Sequence, residues 1–206
     1  FTVPPYTFEI AFNVFVIGLL LVFIVSYFLI RVLVGLLNAR RIKAQQNMFS
    51  GWAAFLETRF DRAQVFAEKA FKLADTQDIK AMNAIIAARS AHRQGNVVRR
   101  DQLLAAIAEQ APGVAAPRLI AEAELMLEGG RYTEALAALQ SLYAAGGRQS
   151  TTVLQLELKI QEMLQNWDAV LDLTNVLSKR KSVDVSLVNT LRHTAHVQNI
   201  KKYGTD

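Results

Sequence analysis

Hydrophobic and polar positions follow two regimes along this chain. From Ala11 to Ile30 the sequence AFNVFVIGLLLVFIVSYFLI carries no charged side chain, and fifteen of its twenty residues are Leu, Ile, Val or Phe. At about 1.5 Å rise per residue, a helix of that length spans the roughly 30 Å hydrocarbon core of a bilayer. Each such side chain contributes about −0.3 to −0.6 kcal/mol to insertion, which together outweighs Asn13, Gly18 and Ser26. Leu33, Leu36 and Leu37 prolong the apolar run past Arg31, whose long stem lets its charge reach the interface. The pattern predicts a transmembrane helix over residues 11–37. A cleaved signal peptide needs a shorter apolar core and a small-x-small cleavage site. Arginine and bulky aliphatics follow Ile30 instead, so the segment reads as an anchor.

Beyond residue 38 the apolar positions recur three and four apart, the period of amphipathic helices. Four segments share one plan, a small or polar turn, a bulky residue, then a helix: TRFDRAQVFAEKA, QGNVVRRDQLLAAI, GGRYTEALAALQSL and LQNWDAVLDLTNVL. The bulky residues Phe60, Val97, Tyr132 and Trp167 are spaced by 37, 35 and 35. A helix–turn–helix unit with a period near 34 is the tetratricopeptide signature. Gly51, Ala88 and Ala123 fall at the small position of the first helix, and Ala63 and Ala135 at that of the second. Arg100 stands in the second unit where alanine is usual, and Val170 and Leu158 occupy the small sites of the fourth, so these two units are expected to pack less regularly. Asp75 to Asp78 offer caps before one helix, and Ser150 or Thr151 before another. Pro112-Gly113 ends a helix, and Pro117 suits the first turn of the next. The expected fold is all-α, a transmembrane helix followed by tetratricopeptide-like helical-hairpin repeats in an α-solenoid. The repeats fall at about 44–77, 81–114, 116–149 and 151–184, with a partial one at 185–200 whose bare face calls for more chain or a partner.

Charge sets the expected orientation. Glu9 is the only charged side chain before the span, whereas Arg31, Arg40, Arg41 and Lys43 follow it. Such clusters stay on the cytoplasmic side, placing residues 1–10 outside and the repeat domain, 38–206, in the cytoplasm at the inner membrane. Tyr6 and Phe8, after Pro4-Pro5, suit the membrane interface, and Asn13 is a polar group able to face another helix. The net charge of +5 is concentrated beside the span and in the tail pair Lys201–Lys202. Anionic lipid is therefore the expected counterpart, and nucleic acid is not. The chain has no cysteine, which removes thiolate metal sites, iron–sulfur clusters and thiol nucleophiles from these residues. It opens on Phe1 rather than Met, which suggests a piece of a longer protein.

No nucleotide-binding glycine loop is present, and Gly129-Gly130 is a repeat turn. No catalytic constellation emerges, so a non-enzymatic role is expected. The repeat register assigns Trp52, Phe55, Arg89, His92, Glu124, Lys159, Glu162, Asn189, His193 and His196 to the concave face, where partner proteins bind. That lining also takes in Met48, Met82, Ile85, Ile120, Leu127 and Gln155. Trp52 and Phe55 serve equally well as packing residues. The carboxylate clamp of chaperone-binding repeats is missing, because Met48, Ile85 and Ile120 occupy the position of its first lysine. No metal and no resident cofactor are expected. Haem or porphyrin on His193 and His196 is the alternative, imidazole being a ligand for both.

The lead PPYTFE, the aromatic-aliphatic span, the arginine after it and FLETRFDRAQVFAEKA together resemble the N-terminal region of HemY-type proteins. The likeness covers about residues 3–75. It implies an inner-membrane tetratricopeptide protein of Gram-negative bacteria linked to late protoheme synthesis, with a further transmembrane helix upstream and more repeats downstream. It carries no catalytic residues; joined to the anchor, the repeats and the lack of a catalytic constellation, the pathway link gives the expectation of a scaffold that holds tetrapyrrole-pathway enzymes, or their porphyrin product, near the cytoplasmic leaflet. The flavin-dependent protoporphyrinogen oxidase that shares the name is unrelated. A repeat scaffold for envelope or lipopolysaccharide assembly is the competing reading.

Overall fold

The computed structural model describes residues 12–180 and 185–203. Among them lie nine α-helices and one short 3₁₀ turn. The first, α1 (Phe12–Leu56), runs unbroken for 45 residues. No proline interrupts it, so nothing forces a break between its apolar and amphipathic portions. Val14 to Leu37 is exposed throughout, and this helix is long and apolar enough to cross a membrane. Its last turns are also the first helix of the first hairpin, closed by α2 (Phe60–Leu73). The following hairpins are α3 (Gln77–Arg93) with α4 (Val97–Gln110), α5 (Ala115–Glu128) with α6 (Tyr132–Ala144), and α7 (Thr151–Met163) with α8 (Trp167–Lys179). The last helix, α9 (Val185–Tyr203), packs on α8. First helices also touch one another, α1 with α3, α3 with α5 and α5 with α7, so the hairpins stack as repeats.

The four hairpin turns share one backbone device. Phe60, Val97, Tyr132 and Trp167 each open the second helix. The residue two places earlier is left-handed in every case: Thr58 (φ 60°), Gly95 (74°), Gly130 (74°) and Gln165 (56°). The next N–H then reaches back to the carbonyl five residues before it, Arg59 to Ala54 at 2.8 Å, Asn96 to Ala91 at 2.9 Å, Arg131 to Met126 at 2.8 Å and Asn166 to Gln161 at 2.9 Å. These bonds satisfy carbonyls that a helix end otherwise leaves unpaired.

Small side chains sit where helices approach. Gly51 is buried, and Ala63, Ala88, Ala123 and Ala135 are fully enclosed. A Cβ added at Gly51 would lie 3.1 Å from the backbone nitrogen of Ala67 on α2. The departures from this pattern are enclosed as well: Arg100 is 1 % exposed, Val170 0 % and Leu158 8 %. One core runs from Ala67 on α2 to Ile160 on α7. A separate cluster of Leu154, Leu158, Val170, Leu177 and Ala195 joins the fourth hairpin to α9. The larger residues at the fourth unit's small sites fill this second cluster, which explains its distinct packing. Caps come from Thr76, whose hydroxyl accepts from Ile79 N–H at 3.4 Å, Asn96 from Arg99 N–H at 3.0 Å, and Ser150 from Val153 N–H at 3.3 Å. The Thr76 cap starts α3 at Gln77, ahead of the expected repeat start near 81.

Candidate functional site

A depression along the first helices lies between α3, α5 and α7, with a volume of about 550 Å³. Leu127, Leu156 and Met163 give it apolar walls, Tyr132 lines the turn, and Arg89, Glu124, Glu128 and Lys159 supply charge. Arg89 donates to Glu124 across the α3–α5 contact, and both are partly exposed. These two residues stand 35 apart, one repeat period, which is the sequence signal that identifies the pair. Lys159 and Glu162 are exposed on α7. Such a groove binds an extended or helical segment through apolar contact and a few orienting charges.

His92 departs from its expected place. Its side chain is 15 % exposed and held by its own chain: Nε2 is 3.4 Å from Glu128, and Nδ1 is 3.2 Å from an Nη of Arg100. Arg100 is the reason. Too large for the alanine site it occupies, it extends within the interior, where its Nε donates to Asp101 at 2.8 Å and its second Nη has no partner. Burial, then the Arg100 charge, holds the His92 imidazole below its ordinary pKa. Burial raises the Asp101 carboxyl, but the hydrogen bonds and charges of Arg100 and Arg131 together outweigh it and the net shift is downward. This cluster joins α3, α4 and α5; of its members Glu128 lines the groove, and His92 and Arg100 do not.

Neighbouring repeats are tied by further pairs that periodicity alone did not reveal. Arg99 on α4 forks onto Glu68 on α2, with Nε and an Nη at 2.9 and 2.5 Å. The Arg99 hydrogen bond keeps the Glu68 carboxyl low despite its burial. Tyr143 on α6 donates to Glu157 on α7 at 2.6 Å, and burial, then that carboxylate, pushes the phenol up.

Among the residues assigned to the membrane boundary, Arg31 lies 3.3 Å from the Tyr27 hydroxyl. Arg40 reaches the carbonyl of Lys72 at 3.5 Å, and Arg41 pairs with Asp75 at 3.0 Å. They clip the end of α2 and the α2–α3 loop to α1, with the Arg41 side chain still 68 % exposed. Tyr6 and Phe8 lie outside the described residues, as does the side chain of Asn13. Trp52 is half-buried and its indole N–H is enclosed without a partner; Phe55 packs edge-on against Phe60 at 5.7 Å. Phe55 therefore serves the first hairpin's own packing. Asn189, His193 and His196 are exposed on α9, away from the groove's lining. The groove thus brings together Arg89, Glu124, Leu127 and Lys159, and its lining leaves out the other residues assigned to the concave face.

Residues 1–95 match the family model described as HemY protein N-terminus. Over that stretch, just under half of the chain, the protein is similar to the N-terminal region of HemY proteins. The matched region ends at Gly95, in the turn of the second hairpin, so it takes in α1, the first hairpin and α3. Comparison with curated proteins and with solved structures finds no match. The matched region therefore holds the apolar helix, the Arg41–Asp75 clip and the Arg89 side of the groove. Glu124, Lys159 and the rest of the groove lie beyond it.

Proposed function

We propose that this chain is a membrane-anchored, non-enzymatic scaffold of tetratricopeptide type that supports late protoheme synthesis. Its apolar helix crosses the inner membrane and its repeats bind partner proteins in the cytoplasm. The carrying observation is the continuity of α1. One unbroken helix is both the apolar segment and the first repeat helix, so the α3–α5–α7 groove stands at a fixed offset from the bilayer. The Arg40 contact to the end of α2 and the Arg41 contact to the α2–α3 loop stiffen that junction. A tether of this kind raises the effective concentration of partners, to about millimolar for short linkers, without chemistry of its own. The HemY-type N-terminus supports the haem pathway over envelope assembly.

Two measurements test this reading. Affinity purification in mild detergent should recover tetrapyrrole-pathway enzymes, and recovery should fall when Leu156 and Lys159 in the groove are changed to Glu. Recovery of none, with no porphyrin accumulation on deletion, sinks it.

A further inference from the structure

Below the span, α1 carries a second apolar face opposite the one that packs on α2. Ala44, Gly51 and Ala54 are buried against the repeat stack. On the other side Ile42, Phe49 and Leu56 are 54 %, 65 % and 82 % exposed. Their spacing of seven places all three along one stripe. Ala39, Gln46 and Ala53, also exposed, fill the intervening positions three and four away. This is a heptad seam with large residues at one core position and small or amide residues at the other.

We propose that this seam pairs with the same seam of a second copy, forming a parallel two-stranded coiled coil that joins two chains beneath the membrane. Four observations select that occupant. Phe49 and Leu56 lie about 18 and 28 Å past residue 37 at the helical rise, too far for lipid to cover along a helix at ordinary tilt. The repeat stack occupies the opposite face of α1, so two copies meet without their hairpins colliding. Two chains inserted the same way in one bilayer are parallel, the orientation in which identical seams align in register and a lone core amide such as Gln46 fixes two strands. In that register the flanking residues Lys43 and Glu57 face neutral Asn38 and Trp52 of the second copy, so no like charges oppose. The three large side chains expose roughly 400 Å² per copy, about half of a standard interface's share per partner. The bilayer portion of α1 supplies the remainder. The parallel arrangement rests on α1 crossing a membrane.

The absence of cysteine makes the test clean. Phe49→Cys, Leu56→Cys and, on the outer side of α2, Arg62→Cys are each expressed as the full chain in membranes and oxidised with copper phenanthroline. Disulfide-linked dimers are expected at positions 49 and 56 at least tenfold faster than at 62. Phe49→Glu in the Leu56→Cys background should abolish the dimer while leaving the helical circular dichroism intact. Equal rates at all three sites, no dimer at 49 and 56, an adduct to a different protein, or a dimer that survives Phe49→Glu each overturn the proposal. Extraction of the chain by alkaline carbonate separately defeats the membrane reading, whatever the cross-linking pattern.

Discussion

Gly51 is a position of close approach between α1 and α2, and replacing it isolates that contact. A methyl group there would sit 3.1 Å from the Ala67 nitrogen and 3.5 Å from its Cα and Cβ. Ordinary carbon contacts lie near 3.5–4.0 Å, so the backbone of α2 must yield by a few tenths of an ångström. Ala67 is fully buried, which leaves little room for that movement. In the helix interior, glycine to alanine gains about 1 kcal/mol of propensity, while overpacking costs about 1–3 kcal/mol. Gly51→Ala should therefore lose between nothing and about 2 kcal/mol. Gly51→Leu, which must push the two helices apart, should lose more than about 3 kcal/mol. Neighbouring Ser50 is exposed, so Ser50→Ala should gain about 0.5 kcal/mol from propensity alone. At roughly 2–4 °C per kcal/mol for a domain of this size, thermal melts at 222 nm in detergent should order the variants Ser50→Ala, wild type, Gly51→Ala, Gly51→Leu. Repeat arrays unfold in stages, so hydrogen exchange of α2 should report the same order locally. A Gly51→Leu chain that melts and exchanges like wild type would mean that α1 is not the first helix of the stack.

Ala135→Trp should overpack the fully enclosed site on α6, costing at least about 1–3 kcal/mol; an unchanged melting temperature contradicts the register. Thr58 is β-branched at φ 60°, so Thr58→Gly should relieve about 1–2 kcal/mol of left-handed strain and return part of it as chain entropy, raising the melting temperature slightly. A lower melting temperature would show that the turn is not strained. His92 is held below its unfolded value near 6.5. The unfolded chain thus takes up the proton first, and stability falls as pH drops through about 6.5 toward the folded value. The melting temperature should fall between about pH 7.5 and 5.5, and less in His92→Gln; identical slopes would exclude His92 as the source.

Much of this fold is legible in the chain because it rests on local period and local chemistry. Twenty uncharged residues define the apolar helix, and the spacing of Phe60, Val97, Tyr132 and Trp167 marks the first residue of every second helix. The small positions follow from the same register, since close helix approach excludes larger side chains. Two of the four left-handed turn residues are glycine and readable. Thr58 and Gln165 carry no such mark, because there the hairpin's packing imposes the conformation on an unsuited residue. The groove is half legible for the same reason: Arg89 and Glu124 meet at one repeat spacing, whereas His92 is drawn inward by Arg100, a long cation in a site built for a methyl group. Which face of α1 packs and which stays bare also escapes the sequence, since both are apolar. Periodicity along one helix says which residues share a side, and only the placement of α2 and α3 decides which side is covered.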